Sequence, residues 1–135
     1  MKQSVLFFTN SELGQASVIL SVAYEIAIQS DWDVTIASFT SLQSQVDALN
    51  RTFETTMKWY AIPGKSMKDC LAANGLDFLP IHAPGVKGAV KAYRECLPYV
   101  IAPWTPEEYE SVLRSCKKLI QKLNPDLVVI GKFIA

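Results

Sequence analysis

The sequence predicts an α/β fold: an open, mostly parallel sheet with helices on both faces. Three observations lead there. Short apolar runs without polar alternation recur along the chain, which is how strands buried on both faces read. Stretches with helical spacing of apolar residues separate those runs. The 135 residues suffice for one domain, spanning 1–135, and leave no room for a second of ordinary size.

Val5-Leu6-Phe7-Phe8 is the first such run, and the polar turn Thr9 to Gln15 follows it. From Ala16 to Gln29 the pattern becomes helical, with Val18, Val22 and Ile26 on one face and Ile19, Ala23 and Ala27 beside it. Ser30-Asp31-Trp32-Asp33 breaks that helix, and Val34 to Phe39 is a second strand. Together they make a βαβ unit. Ser41 to Phe53 reads as a weakly amphipathic helix through Leu42, Val46 and Leu49. Met57 to Ile62 is a third strand, ended by Pro63-Gly64. Ser66 to Asn74 is a short helix closed by Gly75. Leu76 to Gly88 is rich in Pro and Gly and reads as a loop; Ala89 to Leu97 reads as a short helix before Pro98.

The clearest helix comes last. Thr105-Pro106-Glu107-Glu108 is a capping box with Pro at the first helical position. Tyr109, Val112, Leu113, Cys116, Leu119, Ile120 and Leu123 then fall at helical spacing, and Asn124-Pro125 stops the helix. Asp126 to Ile130 is a fourth buried strand. This alternation is the Rossmann-like arrangement, in which ligands bind beyond the carboxyl ends of the strands. Those ends are Thr9–Gln15, Phe39–Leu42, Pro63–Ser66 and Gly131–Ala135.

Composition excludes several functions. Thirteen basic and thirteen acidic residues give zero net charge, so there is no nucleic-acid footprint and no polybasic membrane patch. Half the residues are hydrophobic and 19% are charged, which argues against disorder. Cys70, Cys96 and Cys116 form no C-x-x-C pair. Neither a disulfide framework nor a thiolate zinc site is expected, and three partly buried thiols suit a reducing compartment. The apolar run near the N-terminus is too short for a signal peptide. No stretch approaches the ~20 apolar residues of a membrane span. The expected location is cytoplasmic.

Candidate site residues follow from the strand ends and the loops. The first turn holds one glycine, Gly14, whereas a dinucleotide fingerprint needs G-x-G-x-x-G. No P-loop exists either. Asn10, Ser11, Glu12 and Gln15 crowd the start of the first helix. They read either as helix caps or as a polar cluster aimed at a ligand. His82 is the single imidazole; a lone loop histidine is more often packed or solvated than a general base. Lys87 and Lys91 read as a solvated face. Trp104 precedes the capped helix, as a hydrophobic staple or as a groove wall.

Six stretches carry a resemblance, in this order: Phe8 to Val18, Ala37-Ser38-Phe39, Pro63 to Lys68, Pro84 to Ala89, Ala102-Pro103-Trp104, and Asn124 to Ile130. Together they resemble the N-terminal part of fungal UDP-glycosyltransferases, of the UDP-glucosyl/glucuronosyl transferase family with the GT-B fold. The resemblance implies an acceptor-binding domain that ordinarily faces a second domain, which binds the UDP-sugar. It implies that this chain stops within the N-terminal domain, as a truncated product. Many family members carry Gly-His after the first strand, and an Asp after the fourth strand orients that His. Here the matching positions are Gln15 and Gly131, so both members of the dyad are absent. An amide cannot act as the base.

The resemblance thus implies a transferase-derived domain that binds a small-molecule acceptor through Asn10, Glu12, Gln15, His82 and Trp104. It has no catalytic residues, metal or cofactor of its own. UDP-sugar enters as co-substrate only if a partner chain supplies the second domain, as in a split enzyme. A homodimer or a non-catalytic interaction module is the remaining expectation.

Overall fold

A computed structural model describes residues 2–76 and 82–131. Strands β1 (Ser4–Phe8), β2 (Asp33–Ser38), β3 (Lys58–Ala61) and β4 (Leu127–Ile130) form one sheet in the order β3-β2-β1-β4. Every pairing is parallel, with Phe7 opposite Ile36 and Val129. Helices α1 (Leu13–Gln29), α2 (Gln43–Phe53), α3 (Met67–Ala73), α4 (Val86–Ile101) and α5 (Pro106–Leu123) connect them, with a one-turn 3-10 helix at Thr40–Leu42.

Alternation along the central strands builds two cores. Val5, Phe7, Val34 and Ile36 pack against Ala16, Leu20 and Ala23 of α1 and Val46 of α2. Leu6, Phe8 and Ala37 point the other way, against Val112 and Cys116 of α5. The central strands are therefore buried on both sides, whereas the edge strands β3 and β4 are not. Asp126 anchors the β4 edge: Ser4 donates its backbone N–H (2.7 Å) and its hydroxyl (3.0 Å) to that carboxylate.

Two capping boxes fix helix starts. In α5, Glu108 N–H donates to Thr105 Oγ1 (3.2 Å) and Thr105 N–H to Glu108 Oε2 (3.0 Å). In α3, Ser66 and Asp69 make the same reciprocal pair. Asn124 ends α5 in the left-handed region, with φ 42°. Asn50 organises the turn into β3, since its side chain accepts from Met57 N–H (3.0 Å) and donates to Met57 C=O (2.9 Å).

The structure corrects three local expectations. Helix α1 buries Ala16, Leu20 and Ala23, while Val18 and Val22 are exposed. The helix is apolar nearly all round, and its small residues let it lie close on the sheet. Helix α1 also begins three residues earlier than its apolar spacing suggests. Helix α4 begins at Val86 and continues through Pro98 to Ile101. A proline this close to the end disturbs only the last turn, and Ala102 N–H closes that turn on Pro98 C=O at 2.8 Å. Residues 77–81 of the expected loop and 132–135 of the last strand end lie outside the described residues.

Candidate functional site at the strand ends

The chain runs β1 to β2 to β3 in one direction and then places β4 on the other side of β1. The β1/β4 boundary is therefore the switch point of the sheet, where open parallel folds leave a crevice beyond the strand ends. The segment after β1 carries Thr9, Asn10, Ser11 and Glu12, and the residue after β4 is Gly131. Gly131 N–H donates to Phe8 C=O (2.8 Å), which holds the two ends together.

The polar cluster does not cap α1. Glu12 is its N-cap residue, and no side chain bonds the first-turn amides. Asn10 Nδ2 donates instead to Gln15 Oε1, which links the loop to the first turn of the helix. Glu12 reaches across to α3, where its carboxylate accepts from Lys68 N–H at 3.3 Å. Buried donors and acceptors are ordinarily paired. Here Asn10 Oδ1, Ser11 Oγ and Ser38 Oγ are buried without a partner among the described residues. All three lie at the carboxyl ends of β1 and β2, and Ser38 shares the α1 side of the sheet with Ile36 by alternation. Trp59 Nε1, on edge strand β3, is also unpartnered.

Ser38 is the residue that sequence reading passed over as a site candidate. Its signal was present, a hydroxyl at the carboxyl end of a mostly apolar strand, and the structure buries it fully.

Trp104 and His82 make contacts of their own. Trp104 packs its ring on Phe39 at 5.9 Å and donates its indole N–H to Lys65 C=O at 2.7 Å. It thereby ties the α4–α5 connection to the segment after β3. Lys65 Nζ stands 3.3 Å from Glu108 Oε1. The Thr105 amide, followed by Lys65, holds the Glu108 carboxyl below the usual range. His82 Nε2 lies 3.3 Å from Glu95 Oε2 of α4 without the alignment of a hydrogen bond. No hydrogen bond among the described residues joins His82 or Trp104 to the Asn10–Gln15 pair. A groove of about 430 Å³ lies elsewhere, between α1 and α2 against Tyr24 and Phe53; no unpartnered buried side-chain atom lines it.

Gln15 and Gly131 come close to the same side chain. A Cβ at residue 131 would stand 2.8 Å from Cγ1 of Ile19, and Ile19 lies one helical turn beyond Gln15. Ile19 thus occupies the space into which a side chain at 131 would project. Neither buried thiol offers a nucleophile. Burial raises both, and Cys116 is pushed up to about 11.

No protein-family model matches the chain. The chain is 31% identical, over 146 residues, to Glycosyltransferase sdnJ of Sordaria araneosa. The match takes in 98% of this chain and 28% of that protein. This all-parallel α/β chain is therefore similar along nearly its whole length to a glycosyltransferase, of which it spans less than a third.

Proposed function

We propose that the chain is a glycosyltransferase-derived domain that binds a small acceptor-type molecule in the strand-end crevice and transfers no sugar by itself. The observation that carries this reading is the trio of unpartnered buried atoms, Asn10 Oδ1, Ser11 Oγ and Ser38 Oγ, at the carboxyl ends of the central strands β1 and β2. Desolvated polar atoms of this kind cost stability unless a ligand or water satisfies them. A hydroxylated, largely apolar molecule matches them: its hydroxyls meet these atoms and its body covers apolar surface.

Two features support the absence of transfer. The side chain next to Gly14 is the Gln15 amide, already bonded to Asn10. The space beside Gly131 is filled by Ile19. The relative's remaining length, 72% of it by subtraction from the 28% matched, is where a donor-sugar site would reside under this reading.

The test is a fragment screen of small alcohols and phenols by NMR, alongside a radiolabelled UDP-glucose transfer assay. Binding that shifts the Asn10, Gln15 and Ser38 signals, without transfer, supports the reading. Fragments that bind only in the α1–α2 groove, or sugar transfer by the chain alone, refute it.

One observation favours a second reading, a split transferase. Leu127 and Ile130 of β4 are 43% and 69% exposed, and among the described residues β4 pairs only with β1. Such an edge accommodates a further strand from a partner. Under this reading, a lysate pull-down captures a chain that binds UDP-sugar and restores transfer.

A further inference from the structure

The face of α4 that points away from the domain is apolar along its length. Val86, Val90, Tyr93, Leu97, Val100 and Ile101 are all exposed, with Val86 at 80%, Tyr93 at 66% and Ile101 at 54%. At about 100° per residue these six share one side of the helix, spaced by three and four positions. The opposite side carries Gly88, which is buried, and Glu95, which faces His82. The side with Gly88 and Glu95 thus faces the domain, and the apolar side stays exposed.

Charge chooses the occupant. Lys87, Lys91 and Arg94 flank the apolar face along one side, and all three are exposed. Glu95 is the single acidic residue of α4. It lies toward the domain, 3.9 Å from Lys91, and Lys87 and Arg94 make no ion pair among the described residues. An apolar helix face bordered by cations matches a surface that is apolar beneath and anionic at its rim. A second copy of this chain offers no acid on that flank, because Glu95 is turned to His82. Helix α4 spans about 24 Å along its axis, and no described helix is long and apolar enough to cross a membrane. It can lie in an interface but not traverse one.

We propose that α4 docks this domain on an anionic lipid bilayer, with Val90, Tyr93 and Leu97 entering the headgroup boundary and Lys87 and Arg94 meeting lipid phosphates or carboxylates. The zero net charge of the chain conceals this, because the cations that matter sit together on one helix.

The test is co-sedimentation of the full chain with phosphatidylcholine vesicles, with and without phosphatidylserine, at low and high salt. The expected result is sedimentation that requires phosphatidylserine and fades with salt. The Val90→Glu/Leu97→Glu variant abolishes it. Lys87→Ala/Arg94→Ala weakens it by roughly fivefold per charge removed. Arg114→Ala/Lys117→Ala removes the same charge from α5 and leaves binding as in the wild type. Thermal unfolding verifies that each variant folds, since all these side chains are exposed. Wild-type protein that stays in solution overturns the proposal. So does equal binding to neutral vesicles, or a dimer in sedimentation velocity that Val90→Glu/Leu97→Glu converts to monomer.

Discussion

The strand-end rim divides into two halves that differ in one respect. On the α3 and α5 side the polar groups of the rim have assigned partners among the described residues, while the unpartnered Trp59 Nε1 belongs to the amino-terminal half of β3. Ser66 and Asp69 close one capping box, Thr105 and Glu108 another, and Trp104 bonds Lys65. On the β1 and β2 side three buried polar atoms have none. The first half is closed by its own bonds, and the second leaves three buried polar atoms unmet among the described residues. Glu12 joins the two, since it stands at the start of α1 and accepts from Lys68 of α3. Its place in the cluster is therefore at least partly structural.

Perturbing the satisfied half should cost the most. Trp104→Ala removes a ring packed on Phe39 and the bond that holds Lys65. We expect a loss of about 3 kcal/mol in urea unfolding, with fragment binding at Asn10 retained once folded protein is selected. Beneath the same half, Cys116 gives a pH signature. Its thiol is pushed from 9.0 to about 11 in the folded state. The folded state thus favours the protonated form, so this stabilisation is complete below pH 9 and declines as pH rises through 11. The stability of the wild type relative to Cys116→Ala should fall by roughly 2 kcal/mol across that window; an unchanged difference contradicts the assignment.

The open half should respond with the opposite sign. Ser38→Ala deletes a buried hydroxyl that has no partner. Stability should rise by about 1 kcal/mol, whereas fragment binding should weaken. A variant that is both less stable and equally able to bind would erase the contrast between the halves. The smallest effect concerns Glu108, whose carboxyl is held low by the Thr105 amide and by Lys65. A lowered carboxylate stabilises above its unfolded pKa, and the gain is lost as pH falls through the folded value. Glu108→Gln should flatten the acid limb of the stability curve by a few tenths of a kcal/mol and leave neutral-pH fragment binding unchanged.

The sequence carried the local signals well and the non-local ones poorly. The central strands were legible because Val5–Phe8 is an unbroken apolar run and Val34–Phe39 is mostly apolar, and the Thr105 capping box marks the start of α5 to the residue. The buried face of α1 was not legible. Nearly every side of that helix is apolar, so only its packing on the sheet distinguishes Ala16 and Ala23 from Val18 and Val22. Pro98 reads as a stop in isolation, although so near the end of α4 it leaves most of the helical bonds intact. The site depended most on tertiary structure. The polar run Asn10 to Gln15 is evident in the sequence, but the position of β4 beside β1 is not, and it is what makes that run a switch point. Neither the nearness of His82 to Glu95 nor the bond from Trp104 to Lys65 could be read from the sequence, because both join residues far apart along the chain.

The most direct test of the central claim is a two-dimensional NMR titration of the wild type and Ser38→Ala with the strongest small alcohol or phenol from the fragment screen. Saturable shifts are expected at Thr9, Asn10, Gln15 and Ser38 in the wild type, with a weaker titration of the same signals in the variant. Shifts confined to Tyr24 and Phe53, or identical affinity in both proteins, would contradict it.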